Sequence, residues 1–146
     1  MTIFTKIIAG EIPGRFAWAD DSVVAFADVE PHNHGHMLVV PREPYDKFTD
    51  IPDELAAHLF LVAKRIGNAQ IAAFEENRAM LVIAGLGVPH THLHVFPSED
   101  EKLISFQSAQ KNVDGAELDA NTEKIRAALI AQGWGEFVPA DMHSLS

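Results

Sequence analysis

The residues that could do chemistry stand together in Pro89-His90-Thr91-His92-Leu93-His94-Val95-Phe96-Pro97. Three histidines alternate with other residues, and a period of two is that of a β-strand, whose successive side chains point to opposite faces. His90, His92 and His94 then share one face at Cα spacings of roughly 6.6 Å, while Leu93 and Val95 turn into a core. A row of imidazoles adds little to packing, and each ring needs a hydrogen-bond partner if it is buried. Two chemistries want such a row. Neutral imidazole is the commonest metal ligand, so a His-x-His pair can contribute two ligands to a metal. Alternatively, one imidazole attacks an electrophile while its neighbours orient it and bond the oxygens of an anionic phosphate. The spacing alone leaves both open.

Composition narrows the setting. The 146 residues suit one domain with a real core, and 47% apolar content is that of a globular protein. No apolar run approaches the roughly 20 residues of a membrane span, and nothing reads as a signal peptide. Cysteine is absent, which removes disulfides and thiolate metal sites. These features predict a cytoplasmic protein. A net charge of −10 argues against a general nucleic-acid surface, so an anionic ligand would have to be held locally by backbone amides and histidines.

The elements that position the row can be read in order. Ile3–Ile8 predicts a short helix or turn closed by Gly10 and Pro13-Gly14. Phe16–Ala19 and Val23–Ala27 predict strands joined at Asp20-Asp21-Ser22, with Asp28 closing the second. His32-Asn33-His34-Gly35-His36 repeats the alternation, but Pro31, Asn33 and Gly35 make it a loop in which the rings no longer share a face. His32 and His34 read there as loop residues, with adventitious metal binding as the rival, and His36 opens a strand over Met37–Val40. Leu55, Leu59, Val62, Ile66, Ala69 and Ala73 recur at helical spacing and predict a long helix from Pro52 to about Asn77, started by Asp50 or Pro52. Met80–Ala84 predicts a buried strand leading into Gly85-Leu86-Gly87, whose glycines let backbone amides approach an anion. Past Pro97 the chain turns acidic and irregular, and a helix is predicted from about Asn121 to Gln132, capped by Asn121 or Thr122. Trp134 and Phe137 on the tail predict that it packs on something.

His90 through Phe96 resembles the His-φ-His-φ-His-φ-φ signature of the histidine triad (HIT) family, with Thr91 at one apolar (φ) position. Ile3–Pro13 resembles that family's N-terminal segment, and Ala84–His90 is similar to the Ala-Gly-Leu-x-Val-Pro-His of its bacterial Hint-like branch. The likeness spans roughly residues 2 to 97. It implies an α+β HIT-like fold: a five-stranded antiparallel sheet, one long helix and a C-terminal helix, with the sheet continued across a homodimer. It further implies a purine nucleotide or nucleoside monophosphate derivative as ligand. Ile3, Phe4, Ile7, Phe26 and Val29 would lie against base and sugar, Asp28 would accept from the ribose hydroxyls, and Gly85 and Gly87 would approach the phosphate. His92 would be the nucleophile, His94 the donor to phosphate oxygens or leaving group, and His90 the brace of the row.

The implied activity is hydrolysis or transfer at the α-phosphate of a phosphoramidate or dinucleotide through a nucleotidyl-histidine, without a cofactor. A nucleotide-binding module without turnover and a histidine-ligated metalloprotein are the other readings. The chain also departs from the family pattern. Many relatives hold a structural zinc with two cysteines where Thr2 and Thr5 stand here, with a histidine where Pro44 stands, and with the residue matching His90. No structural zinc is therefore expected, and His90 is expected to lack the histidine that braces it in other relatives. Arg42 replaces a lysine, and Gly85-Leu86-Gly87 replaces a Gly-Gln-Ser/Thr that assists the phosphate.

Overall fold

The computed structural model describes residues 1–146. Helix α1, Ile3–Ala9, begins at a reciprocal cap: Thr2 Oγ1 accepts from the Thr5 amide and Thr5 Oγ1 accepts from the Thr2 amide. Gly10, at φ 85°, closes it in the left-handed conformation that a side chain would resist. Strands β1 (Phe16–Ala19) and β2 (Val23–Ala27) form the expected hairpin, its turn held by the Asp20 carboxylate, which accepts from the Ser22 and Val23 amides.

Strands β3 (Met37–Pro41), β4 (Ala79–Val82) and β5 (Leu93–Pro97) complete an antiparallel sheet in the order β1-β2-β3-β5-β4. Helix α2, Asp53–Phe74, starts after Pro52 as predicted and stops three residues short of Asn77, where Glu75 takes the left-handed conformation. Its Leu59, Val62, Ala63, Ile66 and Ala69 pack on one sheet face against Trp18, Val23, Ala25, Met37, Val39, Leu93 and Val95. Period-two alternation sends Val24, Phe26, Leu38 and Val40 to the opposite face, where they meet Phe4 of α1 and Phe16. Phe26, Leu38, His94 and Val82 are paired in register across four strands on that second face.

Three expectations need correction. The strand predicted over Met80–Ala84 runs from Ala79 to Val82 and is not fully buried, because it is an edge strand with Leu81 turned outwards. Helix α3 spans Gly115–Leu129, capped by Asp114 rather than Asn121 or Thr122; Thr122 is instead buried mid-helix and bonds the Leu118 carbonyl. Strand pairing of the histidine run begins only at Leu93, so His90 and His92 precede the strand. The tail folds back on its own sheet. Phe137 stacks on Trp18 at 4.6 Å, Trp134 lies under the Arg65 guanidinium at 3.7 Å, and the Phe16 amide donates to the Met142 carbonyl.

Candidate active site

The histidines do line up, though the first two precede the β5 ladder, in a segment where the His90 amide donates to the Val88 carbonyl and the Thr91 amide to the Tyr45 carbonyl. Their hydrogen bonds fix each ring's proton, because a carbonyl can only accept. His92 Nδ1–H donates to the His90 carbonyl at 2.7 Å, which leaves the Nε2 lone pair of His92 unbonded by protein. His90 Nε2–H donates to the Pro41 carbonyl at 2.7 Å, so its Nδ1 accepts from the Thr2 hydroxyl at 2.8 Å. The brace expected to be missing at Pro44 is therefore supplied by Thr2 and Pro41.

His94 is set by a longer chain. The His32 amide donates to His36 Nδ1 at 2.9 Å, so His36 carries its proton on Nε2 and donates to His94 Nδ1 at 3.0 Å. His94 must then hold its own proton on Nε2, as a donor. The His92 and His94 rings stand 4.9 Å apart, and Phe4 packs edge-on to His92 at 4.8 Å and to His90 at 5.6 Å. The site thus pairs an unbonded acceptor nitrogen on His92 with a donor nitrogen on His94. Both rings line a cavity of about 250 Å³ with Gly85, Leu86, Gly87, Val88 and Phe106.

Burial governs the electrostatics. Desolvation, helped by His94, His32 and His92 nearby, pushes His36 down to about 2. Desolvation and then the neighbouring His92 and His32 bring His94 to about 4. His90 is lowered by burial, with the Pro41 carbonyl partly opposing, and Asp28 is raised by burial against the pull of the Glu30 amide. His36, His90 and His94 are neutral at physiological pH, as the tautomers above require.

The other residues singled out in the sequence are not all gathered. Gly85 and Gly87 line the cavity; Asp28 stands behind it, with Oδ2 3.6 Å from His36 Nε2. Phe26 is buried beside Phe4 at 5.6 Å, and Ile7 packs against the same small core. Ile3 and Val29 are exposed, and neither lines this cavity. His32, read above as a loop residue, is buried among His36, His94, Phe96 and Phe106, and its Nδ1–H donates to the Leu103 carbonyl at 2.6 Å. His34 does sit on the surface, 3.5 Å from Glu76. The missed residues are Thr2, His32, His36 and Phe106. A threonine before a helical run signals a cap, and the loop histidines were visible by type; nothing in the sequence marks Phe106.

What holds the loop is Gln70 of α2. Its buried side-chain amide donates at 2.8 Å to both the Gly35 and the Val95 carbonyls, tying the histidine loop to β5. Gly35 has φ 74°, and a Cβ there would strike the Phe74 ring.

Neither candidate metal position fits a metal. Asp28, His36 and His94 present ligand atoms within 4.8 Å of one another. A ligating imidazole must bare the nitrogen it offers and normally donates through the other. His36 is fixed the opposite way, with Nδ1 accepting and Nε2 protonated. At the zinc position of the relatives, Thr2 and Thr5 are engaged in capping each other, and His90 is spent on Thr2 and Pro41.

Residues 9–101 match the HIT domain, and the chain belongs to the HIT family. It is 38% identical over 122 residues to an uncharacterised HIT-like protein of Methanocaldococcus jannaschii, covering 78% of this chain and 92% of that one. It is 36% identical over 101 residues to the adenosine 5′-monophosphoramidase of Saccharomyces cerevisiae, covering 68% and 64%. Among solved structures, a zinc-bound histidine triad family protein of Mycobacterium smegmatis superposes with a TM-score of 0.76 at 26% identity, over 89% of this chain and 94% of that one. The α+β HIT-like fold is thereby established. No helix of the chain is long and apolar enough to cross a membrane.

Proposed function

We propose that the protein is a nucleotide hydrolase or transferase that acts at the α-phosphate of a purine nucleoside phosphoramidate or dinucleotide-type substrate. The reaction would run through a nucleotidyl intermediate on His92. One observation carries this reading: His92 offers an unbonded Nε2 beside the Nε2–H donor of His94, on one cavity. The Nε2 lone pair forms a bond to phosphorus as the bond to the leaving atom breaks, and that atom takes a proton from solvent. His94 donates to a phosphate oxygen, and the amides of the Gly85–Gly87 loop can approach the others. Water, or another acceptor, then attacks phosphorus, the P–Nε2 bond breaks, and the attacking group's proton returns to solvent. Asp28, desolvated behind the site, is the acceptor assigned to the ribose diol, with Phe4 against the base.

A homodimer belongs to the same reading. The tail covers the β1 edge, whereas β4 leaves its outer edge unpaired beside a groove of about 400 Å³ that includes Phe60, Met80 and Leu81. Phe60 is 64% exposed on the adjoining helix. A second β4 pairing there would extend the sheet to ten strands.

Binding without turnover is the second reading, favoured by the lack of any side-chain hydroxyl or amide in Gly85-Leu86-Gly87. A panel of adenosine and guanosine phosphoramidates, dinucleoside polyphosphates and sugar nucleotides separates the two. Release of nucleoside monophosphate from any member supports the hydrolase, and its formation as an ester of an added alcohol the transferase. Nucleotide binding with every member left intact supports the module.

A further inference from the structure

Resting on the phosphoramidate reading above, we propose that Phe106 is a specificity-determining residue for the leaving group, and that it favours an amine bearing a flat aromatic ring over a small or anionic group. Phe106 comes from the stretch after the triad, in one of two 3-10 turns, Glu101–Ile104 and Phe106–Ser108. This stretch is a fixed strap rather than a loose loop. Asp100 and Ser105 cap its turns, His32 Nδ1–H donates to the Leu103 carbonyl, and the Gln110 amide donates to the Pro31 carbonyl at 2.9 Å. The strap sets the Phe106 ring edge-on to His94 at 5.2 Å and to His32 at 5.1 Å, at the same cavity that His92 and His94 line.

Phe106 remains half exposed, so the fold has not used its ring to fill the core. The same cavity is lined by Leu86, 97% exposed in the glycine loop. An exposed apolar side chain and a half-exposed aromatic ring on one cavity, beside a reactive centre, offer apolar surface to a flat apolar group. The cavity walls carry no lysine or arginine, so a sulfate or polyphosphate leaving group would find no cation there. Glu99, Asp100 and Glu101, exposed at the start of the strap, add repulsion. A group departing past His94 therefore meets the Phe106 ring.

The test measures kcat/KM of the wild type, Phe106→Ala and Phe106→Leu on the adenosine 5′-phosphoramidates of benzylamine and methylamine, and on adenosine 5′-phosphosulfate. Comparing ratios between proteins cancels the intrinsic reactivities of the substrates. Phe106→Ala should lower the benzyl-to-methyl ratio about tenfold, equivalent to about 1.4 kcal/mol, and leave the methyl compound within about threefold. Phe106→Leu should fall between, and the phosphosulfate-to-methyl ratio should be unchanged in both variants. Equal losses on all substrates, or an unchanged benzyl-to-methyl ratio, would overturn the proposal. If the wild type cleaves none of them, the phosphoramidate reading fails, and Kd values for adenosine monophosphate and its benzylamide decide the slot separately. A benzyl gain in affinity that disappears in Phe106→Ala supports it; no benzyl gain in the wild type overturns it.

Discussion

The proposed roles of the histidines are set by where their ring protons sit. His92 gives its Nδ1–H to a carbonyl and is left with a bare Nε2, whereas His94 is forced by His36 to keep its proton on Nε2. His92→Ala should therefore abolish turnover while nucleotide Kd stays within about tenfold, or 1.4 kcal/mol. His36 touches no substrate in this account, yet it decides which nitrogen of His94 donates. His36→Phe should lower kcat about a hundredfold with little change in KM, the mark of a lost orientation rather than lost binding. The same residue makes the fold acid-sensitive. Its pKa is about 2 folded against an ordinary 6.5, so between those values the unfolded chain binds more protons. Stability is fully present above about pH 6.5 and falls as pH drops below it, by up to about 1.4 kcal/mol per unit from this group. Urea midpoints should decline from pH 7 to pH 5, and His36→Phe should flatten that decline.

At the scale of elements, the site is held by contacts between segments distant in sequence. Thr2 caps α1 and bonds His90, so Thr2→Val should cost about 1 kcal/mol in urea unfolding and also weaken the row. Gly35→Ala adds a Cβ against Phe74 at a left-handed φ, and should destabilise by about 1–3 kcal/mol while loosening the His36 loop. These dependences explain what was legible. Hairpin, long helix and glycine loop follow from local period and turn residues, so the sequence predicted them closely. The histidine row was legible because its spacing and its residue types agree. His32 and His36 were visible as residues, but their inward turn depends on Gln70 reaching from α2, which no local pattern reports. Phe106 is placed by a strap of short turns lacking periodicity, and β4 looked buried because an apolar run reads alike in a central strand and an unpartnered edge.

At the scale of the whole molecule, the unpaired β4 edge and the exposed Phe60 beside it predict a dimer. Sedimentation at micromolar concentration should give a species twice the 16.0 kDa chain mass, and Phe60→Glu with Leu81→Lys should return it to the monomer. A wild-type species at 16.0 kDa would set the dimer aside without touching the chemistry. The proposed reaction rests on covalent transfer to one nitrogen. The most direct measurement is a rapid acid-free quench with an adenosine phosphoramidate, followed by peptide mass spectrometry. Adenylate should be found on His92, should vanish when the substrate is chased, and should be absent from His92→Ala. Turnover at full rate by His92→Ala, or adenylate trapped only on His94, would contradict the account.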